Sequence, residues 1–138
     1  MDRDQVLAII DKAYAARQDG DEEALGRIWA EGATFELAGE TSLLENFPGS
    51  TGPEASKPAV EALMRLVAMS NVTRLTAVVE GHKAATLSSA TVSFAGREPF
   101  ETLLYDLWEL DDAGRIRSLQ QFADTARVVH EMRALKGI

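Results

Sequence analysis

The chain contains no cysteine. Disulfide staples, a thiolate nucleophile and a thiolate metal site are therefore excluded. No apolar run approaches the roughly 20 residues that a membrane-spanning helix needs, so no membrane partner is expected. The opening Met1-Asp2-Arg3-Asp4 lacks the basic-then-apolar order of a secretory signal, and a cytoplasmic location is the expectation. Histidine is scarce: His82 and His130 are far apart and in no metal-ligand spacing. A Gly-rich phosphate loop and a nucleophile elbow are also missing. The expectation is accordingly no metal and no cofactor. Positive charge is in short supply, with 14 Lys and Arg against 22 Asp and Glu, for a net charge of −8. Such a surface repels phosphate backbones, which argues against nucleic-acid binding. Its plainest use is solubility.

What is present suits one domain over residues 1–138. Apolar residues make up 46% of the chain and charged residues 26%, enough for a packed interior inside an ordinary surface. Val6, Ile9, Ile10, Ala13 and Tyr14 recur at three and four residues and predict a helix over 4–18. Gly20 ends it and Asp21 caps a second helix, whose face carries Leu25, Ile28 and Trp29. Ala33, Phe35 and Leu37 then alternate with polar residues as in a half-buried strand.

Residues 38–56 are irregular, with Gly39, Pro48, Gly49, Gly52 and Pro53. A connection this long is uncommon and is often a lid. Leu43, Leu44 and Phe47 either cover something apolar or are tucked into a surface loop. Ser56 before Lys57-Pro58 reads as a helix start, with Val60, Leu63, Met64 and Val67 as its stripe. Strands are expected over about 72–80, 84–95, 98–110 and 115–123, joined by turns at Gly81-His82, Ala95-Gly96 and Asp111-Asp112-Ala113-Gly114. Asp124 caps a closing helix. The fold class is α+β, with helices on one face of a curved, mainly antiparallel sheet.

Two features go beyond architecture. Asp106 lies in the alternating run Thr102–Leu110, with Leu104, Trp108 and Leu110 on its own face. A carboxyl group among such neighbours loses water, which disfavours its charged form. It is either a hydrogen-bond donor or acid–base group in a pocket, or a structural carboxyl satisfied by Tyr14, a tryptophan N–H or water. The same strand carries Leu103, Tyr105 and Leu107 on its other face. Sheets apolar on both faces point to a homodimer packed through the outer face, or to cover by helices and loops.

The element order, Gly20-Asp21 with Glu22-Glu23-Ala24-Leu25, the segment Trp29–Glu36 and the turn Asp112-Ala113-Gly114-Arg115-Ile116 together resemble the nuclear transport factor 2-like superfamily. The similarity is greatest to its ketosteroid isomerase and SnoaL-like polyketide cyclase branches and covers about residues 4–135. It implies a sheet wrapped around three helices as a cone with a central apolar pocket, a cystatin-like α+β barrel. Ketosteroid isomerase is the standard case of a carboxyl group kept neutral by an apolar site so that it can donate to an enolate oxygen. By the resemblance Asp106 falls at that aspartate, Tyr14 at the partner tyrosine and Trp29 at a pocket aromatic. Phe35, Leu37, Met64, Trp108 and Gln121 would line the pocket, where the stripes alone say only core.

The departures are specific. The isomerases' first-strand base falls on Leu37, with Glu36 on the other face and Glu40 at the start of the loop. The last-strand carboxylate of limonene epoxide hydrolase-like members falls on Gln121, and their arginine on Leu104. Three functions follow. One is an enzyme that isomerises, cyclises or dehydrates an apolar ligand bearing a carbonyl or hydroxyl, steroid- or polyketide-like, with Asp106 and Tyr14 catalytic. Another is a binding module for such a ligand without chemistry. The third is a dimerisation or protein-interaction domain.

Overall fold

Asp2 starts the first helix through a reciprocal cap. Its carboxylate accepts the Gln5 backbone N–H at 2.8 Å, and the Gln5 side chain accepts the Asp2 N–H at 2.9 Å, which satisfies two otherwise orphaned donors. Helix α1 spans Arg3–Asp19 and stops at Gly20, whose φ of 66° is a left-handed conformation that glycine adopts without penalty. Asp21 caps α2, Glu22–Ile28, by accepting from Ala24 N. The chain then extends at Trp29 into β1, Trp29–Leu37. The computed structural model describes residues 1–39 and 57–137. Glu40, Leu43, Leu44, Phe47, Ser56 and the question of a lid lie outside them.

The remaining elements are α3 (Lys57–Leu66), β2 (Val67–Glu80), β3 (Lys83–Phe94), β4 (Phe100–Leu110), β5 (Ile116–Phe122) and α4 (Thr125–Lys136). The sheet order is β1-β5-β4-β3-β2. Strands β1 and β5 run parallel and every other pair is antiparallel, as the α+β expectation requires. The sheet does not close into a barrel: β1 and β2 are its two edges. Alternation sorts the long strands by face. Leu104, Asp106, Trp108 and Leu110 of β4 are buried, as are Ala84, Thr86, Ser88, Ala90, Val92 and Phe94 of β3. The apolar ones among them join Val6, Ile10, Ala13 and Tyr14 of α1 in one core. On the opposite face Val78, Leu103, Tyr105, Leu107 and Phe122 are exposed.

Two boundaries differ from the sequence reading. Val67 belongs to β2 and not to the stripe of α3, because it pairs with Phe94 across the sheet. Strand β2 therefore begins five residues before the β-branched run at Val72. Asn71, at φ 52°, and register shifts after Ser70 and Arg74 bend this strand. Trp29 is the first residue of β1 and not part of α2, with extended φ and ψ. Both are cases of sheet pairing overriding local periodicity.

Helix α4 is fastened by a charge cluster. Asp124 caps it by accepting from Arg127 N, and the buried Glu131 takes both Arg97, from the β3–β4 turn, and Arg127. Hydrogen bonding to Arg97, helped by Arg127, holds the Glu131 carboxyl below its ordinary range against the opposing effect of burial. Arg127 also lies 3.9 Å over the Phe100 ring. Among the described residues no helix is long and apolar enough to cross a membrane.

Candidate active site

The buried stripe of α1 sets one wall. Tyr14 meets Trp108 of β4 edge-on, with ring centroids 5.7 Å apart and planes at 74°. The Trp108 indole N–H donates to Thr86 Oγ1 at 3.0 Å. Thr86, Asp106 and Gln121 form one cross-strand row over β3, β4 and β5. Asp106 is 1% exposed. Its Oδ1 accepts from Gln121 Nε2 at 2.9 Å, whereas the equally buried Oδ2 has no partner.

That environment determines the carboxyl's chemistry. Burial pushes the Asp106 pKa from 3.8 up to about 7, and the Gln121 hydrogen bond opposes it. Near neutral pH both protonation states are therefore populated. In the acid form the proton belongs on Oδ2, since Oδ1 already receives the Gln121 N–H.

Two small cavities, each about 50 Å3, adjoin this row. The first is walled by Tyr14, Trp29, Phe35, Trp108 and Gln121. The second is walled by Leu37, Phe94, Phe100, Leu104 and Gln121. Each has room for a few waters, at roughly 10–15 Å3 per water. Gln121 lines both, and Asp106 is not itself in either lining: its strand neighbours Leu104 and Trp108 are, one on each side. Of the expected site residues, Tyr14, Trp29, Phe35, Leu37, Trp108 and Gln121 are thus brought together, and Met64 is buried beside them without lining either cavity. Tyr14 and Asp106 share no hydrogen bond. The Tyr14 hydroxyl and the Trp29 indole N–H are both buried without a partner among the described residues. His82 pairs with Asp112 at 3.5 Å in the turn region, away from the site, and His130 is exposed on α4.

Arg17 also lines both cavities, and sequence reasoning passed over it. The signal was there: Arg17 continues the Ile10, Ala13, Tyr14 stripe by one further step of three. Its guanidinium donates to the Val67 carbonyl. No carboxylate reaches it among the described residues, and burial lowers its pKa to about 10. It stays charged at neutral pH. No group of three or more His, Cys, Asp or Glu that could hold a metal occurs among the described residues.

No family model and no curated protein matches the sequence. Solved structures do match in shape. An NTF2-like protein from Burkholderia xenovorans LB400 superposes with a TM-score of 0.73 at 20% identity, over 96% of this chain and 98% of that one. The fold is that of the nuclear transport factor 2-like proteins. An LEH-like epoxide hydrolase from M. tuberculosis shares it with a TM-score of 0.66 at 16% identity, over 93% of this chain and 86% of that one. TerC, crystallised with polyporic acid, has a TM-score of 0.72 at 13% identity, over 94% and 98%. At these identities the likeness establishes the NTF2-like cone and not the chemistry.

Proposed function

We propose that the protein is an enzyme acting on a small apolar ligand bearing a carbonyl or hydroxyl oxygen, by isomerisation, cyclisation or dehydration. The observation that carries this reading is Asp106: a buried carboxyl whose Oδ2 has no partner, with its pKa pushed by burial up to about 7. A neutral acid in an apolar site can donate to an oxygen on which charge develops. Because both of its forms are populated, the same group can also take a proton up. The unpartnered Tyr14 hydroxyl is a second donor for the same oxygen. That an epoxide hydrolase and a protein crystallised with polyporic acid share the fold supports a small organic ligand. A second copy of the chain packs on the outer face through Leu103, Tyr105, Leu107 and Phe122.

A second reading, binding without chemistry, is favoured by Leu37 and Gln121. Both line the second cavity, at the two positions where the resemblance puts a base, and neither can remove a proton. Deuterium exchange separates the readings. Apolar ketones incubated with the protein in heavy water should gain deuterium next to the carbonyl, and Asp106→Asn should abolish the gain. Equal exchange with both proteins rejects Asp106 as the acid–base group, and no exchange with any ketone favours binding alone.

A further inference from the structure

The first cavity is rich in donors. Tyr14 Oη and Trp29 Nε1 are buried and unpartnered, and both residues line it together with Arg17. Buried donors are nearly always satisfied, so two orphans on residues that line one cavity call for an acceptor oxygen. No carboxylate side chain occurs in the described lining of this cavity. Arg17 spends one N–H on the Val67 carbonyl, which leaves the rest of a five-donor fork for something else. Arg17 is half-buried, with no carboxylate bonded to it among the described residues, and a planar guanidinium matches a carboxylate in two-pronged geometry. The adjoining cavity, which Arg17 and Gln121 also line, is walled mainly by Leu37, Val92, Phe94, Phe100 and Leu104, with Asp124 the one carboxylate in its described lining.

We infer that the ligand is an organic acid, whose carboxylate is held by Arg17 with the Trp29 N–H, and whose apolar body lies in the cavity formed by Phe94, Phe100 and Leu104. This deepens the proposed function by naming the ligand class, and rests on that reading only for the identity of the site. Arg17 is a binding and specificity residue here. The carbonyl or hydroxyl on which chemistry occurs is a separate group of the same molecule.

The test compares acids with their neutral isosteres. Benzoate, 2-naphthoate and decanoate, each beside its methyl ester, are titrated calorimetrically into the wild-type protein, Arg17→Met and Arg17→Lys. The expected result is at least tenfold tighter binding of one or more acids than of the matching ester. Arg17→Met should erase that ratio, and Arg17→Lys should retain part of it. Acids and esters binding alike, no acid binding below about 1 mM, or an acid preference unchanged in Arg17→Met would each overturn the inference. Should Arg17→Met fail to fold, the wild-type ratio and Arg17→Lys still decide. The proposed acid–base role fails separately: Asp106→Asn is expected to keep the acid preference and lose deuterium exchange, and intact exchange in that variant sinks the role without touching the ligand class.

Discussion

Replacing Asp106 by Asn should make the protein's stability much less dependent on pH, with the largest gain in alkali. Folded Asp106 binds its proton up to about pH 7, whereas in the unfolded chain the carboxyl ionises near 3.8. Between those values the native state holds the extra proton, so the wild type is most stable in acid and loses stability as pH rises through the folded pKa. At 1.36 kcal/mol per unit, the full shift corresponds to roughly 4 kcal/mol, of which about 3 kcal/mol falls between pH 5 and pH 8. Asparagine keeps a carbonyl oxygen for the Gln121 N–H and cannot ionise. Urea midpoints at pH 5, 6, 7 and 8, converted with a common slope, measure the difference between the two proteins. In thermal melts the same ~3 kcal/mol corresponds to roughly 10 °C for a chain of this size. The variant's stability relative to wild type should climb by about 1.4 kcal/mol per pH unit below 7 and level off above it. Two parallel curves would refute the reasoning: Asp106 would then be ionised in the folded state, and its proposed use as an acid would go with it.

Gln121→Leu removes the hydrogen bond that lowers the Asp106 pKa, so the carboxyl should titrate above 7, read from its 13C chemical shift against pH; a fall in the midpoint would contradict the assignment. Glu131→Gln breaks the charge-assisted bonds from Arg97 and Arg127 and should cost about 1–3 kcal/mol in a urea titration at pH 7. Because the folded Glu131 pKa is depressed, that deficit should shrink as pH falls through the folded value, where the wild-type carboxyl is protonated too. Leu107→Glu puts a charge among Val78, Tyr105 and Phe122 on the outer face; sedimentation should show wild type at twice the chain's mass and the variant at once, whereas an unchanged mass would remove that face as the dimer contact.

The sheet was legible because its strands bury alternate residues. The β4 run from Thr102 to Leu110 announces both faces, and the register puts Asp106 opposite Thr86 and Gln121, where the alternation had placed it inward. Where periodicity conflicts with pairing, pairing wins. Val67 fits a helical stripe, yet it faces Phe94 across a ladder. Trp29 continues the apolar face of α2 and is nevertheless extended. The site was harder to read, because its decisive features are absences: a hydroxyl, an indole N–H and a carboxyl oxygen without partners. Composition does not reveal an unmet hydrogen bond. Arg17 was overlooked for a related reason. An arginine on an apolar stripe reads as a residue whose stem packs and whose head reaches water, and only the fold shows that Arg17 lines two cavities.

One physical cause acts on both ionisable groups at this site, with opposite consequences for charge. Burial raises the Asp106 pKa and lowers that of Arg17, since in each case it disfavours the charged form. At neutral pH the carboxyl is half-neutralised and the guanidinium is not, because Arg17 begins from 12.5 and falls only to about 10. Arg17 is therefore a fixed cation lining both cavities, with Asp124 also in the lining of the second, in a chain that carries −8 overall. An anion that enters the site is attracted by Arg17, and its own charge disfavours ionised Asp106. On the proposed reading, binding an organic acid thus pushes Asp106 toward the protonated form that donates. Loading the site and arming the acid become one equilibrium, in which ligand binding takes up a fraction of a proton near pH 7. Calorimetric titrations of the tightest-binding acid in buffers of different ionisation enthalpy should show that uptake in wild type and lose it in Asp106→Asn.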